Sequence, residues 1–171
     1  VAIPYSGSTW TYTPTLVNGT TYAFSFVATD AAGNVSPATP FSLTVDTVAP
    51  AAPVITSVTD NVSPVTGSIA DGGATNDTTP TFSGTVEAGI SLAVAINGGS
   101  PVAIPYSGST WTYTPTLVNG TTYAFSFLAT DAAGNISPAT PFSLTVDTVA
   151  PAAPVITSVT DNVSPVTGSI A

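Results

Sequence analysis

The chain repeats itself with a period of 101 residues, and this repetition limits the folds that it can adopt. The first 70 residues align with the last 70, and only two positions differ, Val27 against Leu128 and Val35 against Ile136. A unit of this length is the size of one small domain. We therefore expect the chain to be a window from a longer tandem array of near-identical domains.

The units are joined by the linker Val-Asp-Thr-Val-Ala-Pro-Ala-Ala-Pro, which occurs at residues 45–53 and again at 146–154. Proline restricts φ and removes backbone donors, so this sequence predicts a stiff connection. The predicted organisation is the C-terminal part of one repeat (1–49), a complete repeat (50–150) and the N-terminal part of the next (151–171). The immediate partners are then the neighbouring identical repeats of the same chain.

Charge excludes several classes of partner. The chain has nine acidic residues and no Lys, Arg or His, which gives a net charge of −9. Nucleic acids and anionic membrane surfaces are bound through Lys and Arg, so neither is expected as a partner. No apolar run approaches the roughly 20 residues of a membrane span, so no membrane insertion is expected. Because the chain has no internal cation, its carboxylates can be neutralised only by ions from solution.

Apolar residues alternate with polar ones at period two, which is typical of half-buried strands. In the complete unit, short strands are predicted at 54–59, 81–86, 90–96, 101–106, 110–114, around Tyr123, Phe125 and Phe127, and around Phe142, Leu144 and Val146, with a loop-rich segment at 62–79. About seven strands at this spacing predict an all-β fold, an immunoglobulin-like or fibronectin III-like β-sandwich. Tyr22 occupies the position of a tyrosine corner. Residues 1–50 lack counterparts of the strands at 54–96, so we expect that segment to be poorly stable alone.

Four motifs occur in the order found in a known family: Asp77-Thr78-Thr79-Pro80, Gly84-Thr85-Val86-Glu87-Ala88-Gly89, Ala129-Thr130-Asp131-Ala132-Ala133-Gly134-Asn135 and Val146-Asp147-Thr148-Val149-Ala150-Pro151. This set resembles the bacterial immunoglobulin-like repeats of giant type I-secreted adhesins and biofilm-associated surface proteins. The resemblance implies an extracellular or cell-surface location. It also implies a calcium-rigidified extender that holds a terminal binding module away from the cell and so supports adhesion and biofilm formation.

One group of polar residues is predicted to bind structural Ca²⁺ at the junction between units. In a seven-strand sandwich, the loops carrying Glu87, Asp131 and Asn135 lie at the pole where the chain enters, close to the linker residue Asp46. Ca²⁺ takes about six to eight oxygen ligands, which carboxylates and amides supply. Asp30 and Asn34 are the equivalent pair in the first unit. The alternative is that each Asp-Asn pair only caps a turn.

A second group lies toward the opposite pole: Asp71, Asn76 and Asp77, with Asp147 nearby and Asp60 and Asn61 able to approach. We predict that this second group also binds Ca²⁺. Asp-Gly-Gly and Asn-Asp are also ordinary turn sequences, so the turn reading is stronger for this group.

Catalysis is not expected. The chain has no His, Cys or Lys to act as base or nucleophile near neutral pH. A carboxylate pair could in principle hydrolyse a glycoside, but no deep cleft is implied by a small sandwich.

Two other function classes remain open beside the extender. One is a ligand-binding module for a glycan, ice or a host protein, for which the row Thr110, Thr112 and Thr114 is a candidate surface and Trp111 with Tyr113 a sugar-stacking one. Core packing is the competing interpretation of the two aromatic residues. The other class is a building block of a fibre or surface layer, with lateral or end-to-end contacts.

Overall fold

The computed structural model describes residues 1–164 and 168–169, and no helix occurs in that part of the chain. Accordingly, none of the described residues belongs to a helix long and apolar enough to cross a membrane. The strands are β1 (Tyr5–Ser6), β2 (Thr9–Trp10), β3 (Thr21–Phe26), β4 (Thr39–Thr44), β5 (Val54–Asp60), β6 (Gly67–Ser68), β7 (Gly73–Thr75), β8 (Thr81–Thr85), β9 (Ser91–Ile96), β10 (Val102–Ala103), β11 (Tyr106–Ser107), β12 (Thr110–Tyr113), β13 (Thr121–Thr130), β14 (Thr140–Val146), β15 (Thr160–Asp161) and β16 (Gly168–Ser169).

Strands β5 to β14 form two five-stranded sheets that pack as a sandwich. One sheet has the order β10-β9-β13-β14-β7 and the other β11-β12-β8-β5-β6. All pairs are antiparallel except β14 with β7, which is parallel. The prediction of an all-β immunoglobulin-like sandwich is confirmed.

The core forms because every second residue of the central strands turns inward. Phe82 is fully buried, and its ring centroid lies 4.7 Å from Phe125, 5.4 Å from Phe142 and 5.6 Å from Phe127. Trp111 stacks on Phe127 at 5.0 Å and is 2% exposed. Core packing is therefore the correct interpretation of Trp111, and Tyr113 also packs against the core.

The structure corrects the predicted strands at two places. Segment 62–79, expected to be loop, contains the edge strands β6 and β7, and β7 pairs with β14. Segment 101–106, expected to be one strand, is divided between the sheets, because β10 pairs with β9 whereas β11 pairs with β12. Ile104 lies at the crossing, is buried, and donates its N–H to Leu92 O at 2.8 Å. These strands are two or three residues long, too short to give a periodic pattern.

The chain enters and leaves the sandwich at opposite poles. β5 and β14 begin at one pole, where the Thr140 hydroxyl donates to the carbonyl oxygen of Pro53. Both strands also end together, because Thr75, which is paired with Val146, donates its hydroxyl to the Asp60 carboxylate at 2.6 Å. We call the first end the N-terminal pole and the second the C-terminal pole.

In residues 1–47, the strands form only the pairs β1–β2 and β3–β4. The tyrosine corner is confirmed, since Val17 N donates to the Tyr22 hydroxyl at 2.9 Å, and its copy is Val118 N to Tyr123 at 2.8 Å. Trp10 is 52% exposed, in contrast to its copy Trp111. This agrees with the expectation that the segment lacks part of its core; its stability stays a prediction.

Candidate functional site

The loop between β13 and β14 lies at the N-terminal pole and is organised by one carboxylate. Asp131 Oδ1 accepts the backbone N–H groups of Ala133 and Asn135, both at 2.9 Å, and Oδ2 accepts Asn135 Nδ2 at 2.8 Å. Gly134 has a φ of 92°, which a residue with a side chain rarely adopts. The sequence Asp-Ala-Ala-Gly-Asn therefore folds into a compact turn around the Asp131 side chain.

This loop contacts the linker that enters the sandwich. Asn135 Nδ2 also donates to the backbone carbonyl oxygen of Asp46, at 3.1 Å. The expectation that Asp131 and Asn135 lie beside the incoming linker is confirmed. The hydrogen bonds of Asp131 are those expected of a residue that caps a turn, which was the alternative interpretation.

The other two members of the predicted group are not drawn into the same network. The Asp46 carboxylate accepts Val48 N at 3.0 Å, within its own linker. Glu87 follows β8 and so lies at the same pole, but its carboxylate forms no hydrogen bond with any residue that the structure describes. In residues 1–164 and 168–169, no three acidic side chains are grouped as a metal site, so the expected convergence of three carboxylates is not seen.

The first unit carries a copy of the same turn. Asp30 Oδ1 accepts Ala32 N at 2.9 Å and Asn34 N at 2.8 Å, and Asp30 Oδ2 accepts Asn34 Nδ2 at 2.8 Å. The turn thus forms from local sequence, in residues whose strands make only two-stranded pairs. In contrast to Asn135, the Asn34 side chain has Asp30 as its one hydrogen-bond partner among the described residues.

At the C-terminal pole, the outgoing linker is held against the sandwich by hydrogen bonds. Asp147 N donates to Thr75 O at 2.9 Å, and Thr148 N donates to Asn119 Oδ1 at 2.7 Å. The Asp147 carboxylate accepts Val149 N at 3.0 Å and so acts within the linker. In the first unit, Asn18 Oδ1 accepts Thr47 N at 2.7 Å in the same way.

The second predicted group contains a buried carboxylate. Asp77 is 0% exposed; its Oδ1 accepts Thr79 N at 2.7 Å and its Oδ2 accepts Asn61 N at 3.2 Å. Thr75 Oγ1 accepts Asp77 N at 3.0 Å and links it to Asp60. The approach of Asp60 and Asn61 is confirmed. With each carboxylate supplied with donors, the network fixes the loop that leads into β8.

The carboxylates of Asp71 and Asp147 do not join this network. Asp71 Oδ1 accepts the backbone N–H of Ser143 at 2.7 Å and its hydroxyl at 3.0 Å, beside the middle of β14. Asn76 Nδ2 donates to Ser63 O at 2.8 Å. The members expected to gather around one ion are therefore distributed between the edge of a sheet, the interior and the linker.

Hydrogen bonding lowers the pKa of several of these carboxyls below the ordinary value. For Asp131 the main cause is the Asn135 amide, assisted by backbone N–H groups, and for Asp71 it is the backbone N–H of Ser143. Asp30 is lowered mainly by the Asn34 amide. In each case the charged form is the one that the donors stabilise.

We expect the sandwich to lose stability in acid. Because the folded-state pKa values of Asp131 and Asp71 are lowered, the unfolded chain binds protons more strongly. Their stabilising contribution is present above the unfolded pKa of about 3.9 and is lost as pH falls through the lowered folded-state values. Thermal midpoints of unfolding measured from pH 7 to pH 2 check this. The double variant Asp131→Asn, Asp71→Asn should show a shallower acid decline, and an unchanged slope contradicts the assignment.

Sequence reasoning did not identify three residues that hold the linkers, namely Thr140, Asn119 and its copy Asn18. Their partners lie far away in sequence, since Thr140 contacts Pro53 and Asn119 contacts Thr148. A local signal does exist for the asparagine, because Asn-Gly precedes the tyrosine of the tyrosine corner in both units. Nothing local marks Thr140.

Comparison with known families agrees with the sandwich. A family profile described as a bacterial Ig-like domain matches residues 52–148. The chain belongs to the bacterial Ig-like domain family. A second profile, also described as a bacterial Ig-like domain, matches residues 1–47. No curated protein sequence matches the chain. Bacterial Ig-like domains are typically non-catalytic modules and usually occur in surface or extracellular proteins, so this chain is an Ig-like module of the surface-protein type.

Proposed function

We propose that the chain is a structural extender segment, or stalk, of a large secreted bacterial surface adhesin. In this role it holds a terminal adhesive module away from the cell and supports adhesion and biofilm formation. The observation that carries the proposal is that β5 begins at the N-terminal pole whereas β14 ends at the C-terminal pole. Sandwiches joined in this way add length end to end, and each further unit increases the reach of the chain.

Near-identity of the units supports a spacer function. A spacer needs length and a uniform junction, and the two copies of the linker are identical in sequence. The only two differences between the aligned units are apolar for apolar, Val27 to Leu128 and Val35 to Ile136. Both valines are largely exposed, and Ile136 is as well. The junction residues are therefore the same in every copy that the chain contains.

We further propose that Ca²⁺ stiffens the junction. The groups that would hold it are the Asp131 carboxylate, the Asp46 carbonyl and the Asn135 amide oxygen, and the hydrogen bonds of Asn135 bring these three residues together. Ca²⁺ accepts carboxylate, amide and backbone carbonyl oxygens, and waters complete its coordination. Bound there, it would supply the positive charge that the chain lacks and hold the linker to the loop. Asp46 and Glu87 carboxylates lie at the same pole and are further candidates.

Small-angle X-ray scattering tests the stalk proposal and its calcium part together. In Ca²⁺ the chain should have a larger maximum dimension than in chelator, and calorimetry should show saturable uptake. The Asp131→Asn variant should lose the response. Its matched control Asp30→Asn should keep it, because the Asp30 turn makes no hydrogen bond to a linker in the described residues. An equal maximum dimension in both solutions, with no uptake, contradicts calcium stiffening; a compact particle in both contradicts the stalk.

A further inference from the structure

Both ends of the linker are held by the sandwich that follows it. At residue 46 the carbonyl oxygen accepts Asn135 Nδ2 at 3.1 Å, and at residue 53 the carbonyl oxygen accepts the Thr140 hydroxyl. Asn135 lies in the middle of the β13–β14 loop and Thr140 is the first residue of β14, so both donors are at the N-terminal pole. The loop and the start of β14 thus bind the linker at two points, seven residues apart.

The acceptors are backbone atoms, which suits the composition of the linker. Pro50 and Pro53 have no N–H, and the residues around them are Ala and Val, which have no polar side-chain atoms. Between Val48 and Pro53 the linker therefore offers six carbonyl oxygens, four N–H groups and no polar side chain. A surface that binds it needs donors, and Asn and Thr side chains supply them.

The Asn135 amide is oriented before the linker is bound. Asn135 Nδ2 lies 2.8 Å from Asp131 Oδ2 and donates one of its hydrogens to it, and the other hydrogen is donated to the Asp46 carbonyl oxygen. Asp131 is itself fixed by the N–H groups of Ala133 and Asn135. The same orientation is present in the copy, where Asn34 donates to Asp30 at 2.8 Å. The donor is thus placed by the turn, at no further cost in side-chain entropy when the linker docks.

We propose that Asn135 and Thr140 form a docking site for the linker of the preceding unit, and that this site holds residues 46–53 locally on the sandwich without any metal ion, whereas the proposed Ca²⁺ sets the angle between the units. The site binds the backbone of the proline-containing linker through the carbonyl oxygens of residues 46 and 53. Asn135 and Thr140 are positioning residues of the junction. They supply an ion-independent contact that the calcium proposal does not contain.

Docking and calcium make opposite demands on the same atoms. A cation at Asp131 Oδ2 and Asp46 O takes the place of the amide hydrogens, so Asn135 would have to turn its oxygen inward. The Asn135→Asp substitution separates the two effects. A carboxylate cannot donate to the Asp46 carbonyl, so docking is lost, whereas an additional oxygen ligand favours Ca²⁺. The Asn135→Asp variant can therefore lose linker docking and still bind Ca²⁺, so the two proposals can be refuted independently.

The test uses the full chain in chelator, with ¹⁵N relaxation of the Ala51 and Ala52 amides as the readout. In the native chain we expect order parameters of about 0.85, those of rigid backbone. Asn135→Ala and Thr140→Val should each lower them, and the double variant should bring them below about 0.6. The matched controls Asn34→Ala and Thr39→Val remove the same side chains from the first unit and should leave both amides rigid.

A second readout uses the asparagine side chains themselves. Both Asn135 amide hydrogens should exchange slowly with solvent in chelator, whereas Asn34 should protect only the hydrogen that faces Asp30. Unchanged backbone amide chemical shifts in β13 and β14, away from the substituted residue, would show that each variant is folded. If the linker amides are mobile in the native chain in chelator, or stay rigid in the double variant, the docking site is refuted.

Discussion

We expect the Trp111→Ala substitution to lower the free energy of unfolding of the sandwich by about 3–5 kcal/mol. Trp111 is 2% exposed, stacks on Phe127 at a centroid distance of 5.0 Å, and donates Nε1–H to Thr85 O at 3.2 Å. Truncation leaves a cavity between the two sheets and removes the indole donor to the Thr85 carbonyl. Urea denaturation followed by circular dichroism measures the loss.

The matched control is Trp10→Ala, which changes the same residue in the same local sequence. Trp10 is 52% exposed and has its ring contact with Phe26, at 4.9 Å, within the first unit. We expect this change to leave the unfolding transition of the sandwich within about 0.5 kcal/mol of the native value. Equal decreases in the free energy of unfolding for Trp10→Ala and Trp111→Ala would contradict the assignment of the core to residues 54–146.

We expect Gly84→Ala to destabilise the sandwich by about 3 kcal/mol or more. A Cβ at this position would lie 2.1 Å from the carbonyl oxygen of Val54 and 2.4 Å from Cζ2 of Trp111. Backbone in the paired strand β5 cannot rotate away as a flexible side chain can, so the strands must separate or the indole must move. Because a domain of this size is stable by only about 5–15 kcal/mol, the variant should show a much lower midpoint in urea.

Ser83→Ala is the control for this substitution, since Ser83 precedes Gly84 in β8 and faces the other side of the sheet. We expect it to change stability by less than about 0.5 kcal/mol. A Gly84→Ala variant as stable as Ser83→Ala would mean that β8 and β5 are not in the register in which Gly84 opposes Ile55.

The strands with long alternating patterns could be predicted from sequence because alternation reports burial directly. The segment at 90–96 shows this, and Leu92 and Val94 are indeed buried in β9. The short edges β6 and β7 were missed, and β10 and β11 were predicted as a single strand, because two or three residues carry no period. Their existence depends on which neighbouring strand offers free N–H and C=O groups.

In the candidate site, too, the local contacts could be predicted from sequence and the long-range ones could not. The turn at Asp131–Asn135 was expected to lie beside the incoming linker, since loop order in a seven-strand sandwich places alternate loops at one pole. Its hydrogen bonds are local, and the copy at Asp30–Asn34 repeats them. By contrast, Thr140 and Asn119 acquire their roles from residues 87 and 29 positions away in sequence.

Sequence by itself determined the repeat, the all-β sandwich, the acidic charge without a cation, and the turns that local side chains cap. Tertiary structure decided how deeply each copy of a nearly identical segment is buried. Trp10 and Trp111 stand in the same local sequence, yet only Trp111 is buried, because only its unit has Phe82 and the strands around it. Burial depends on surface removed from water by residues distant in sequence, so identical local patterns give different environments.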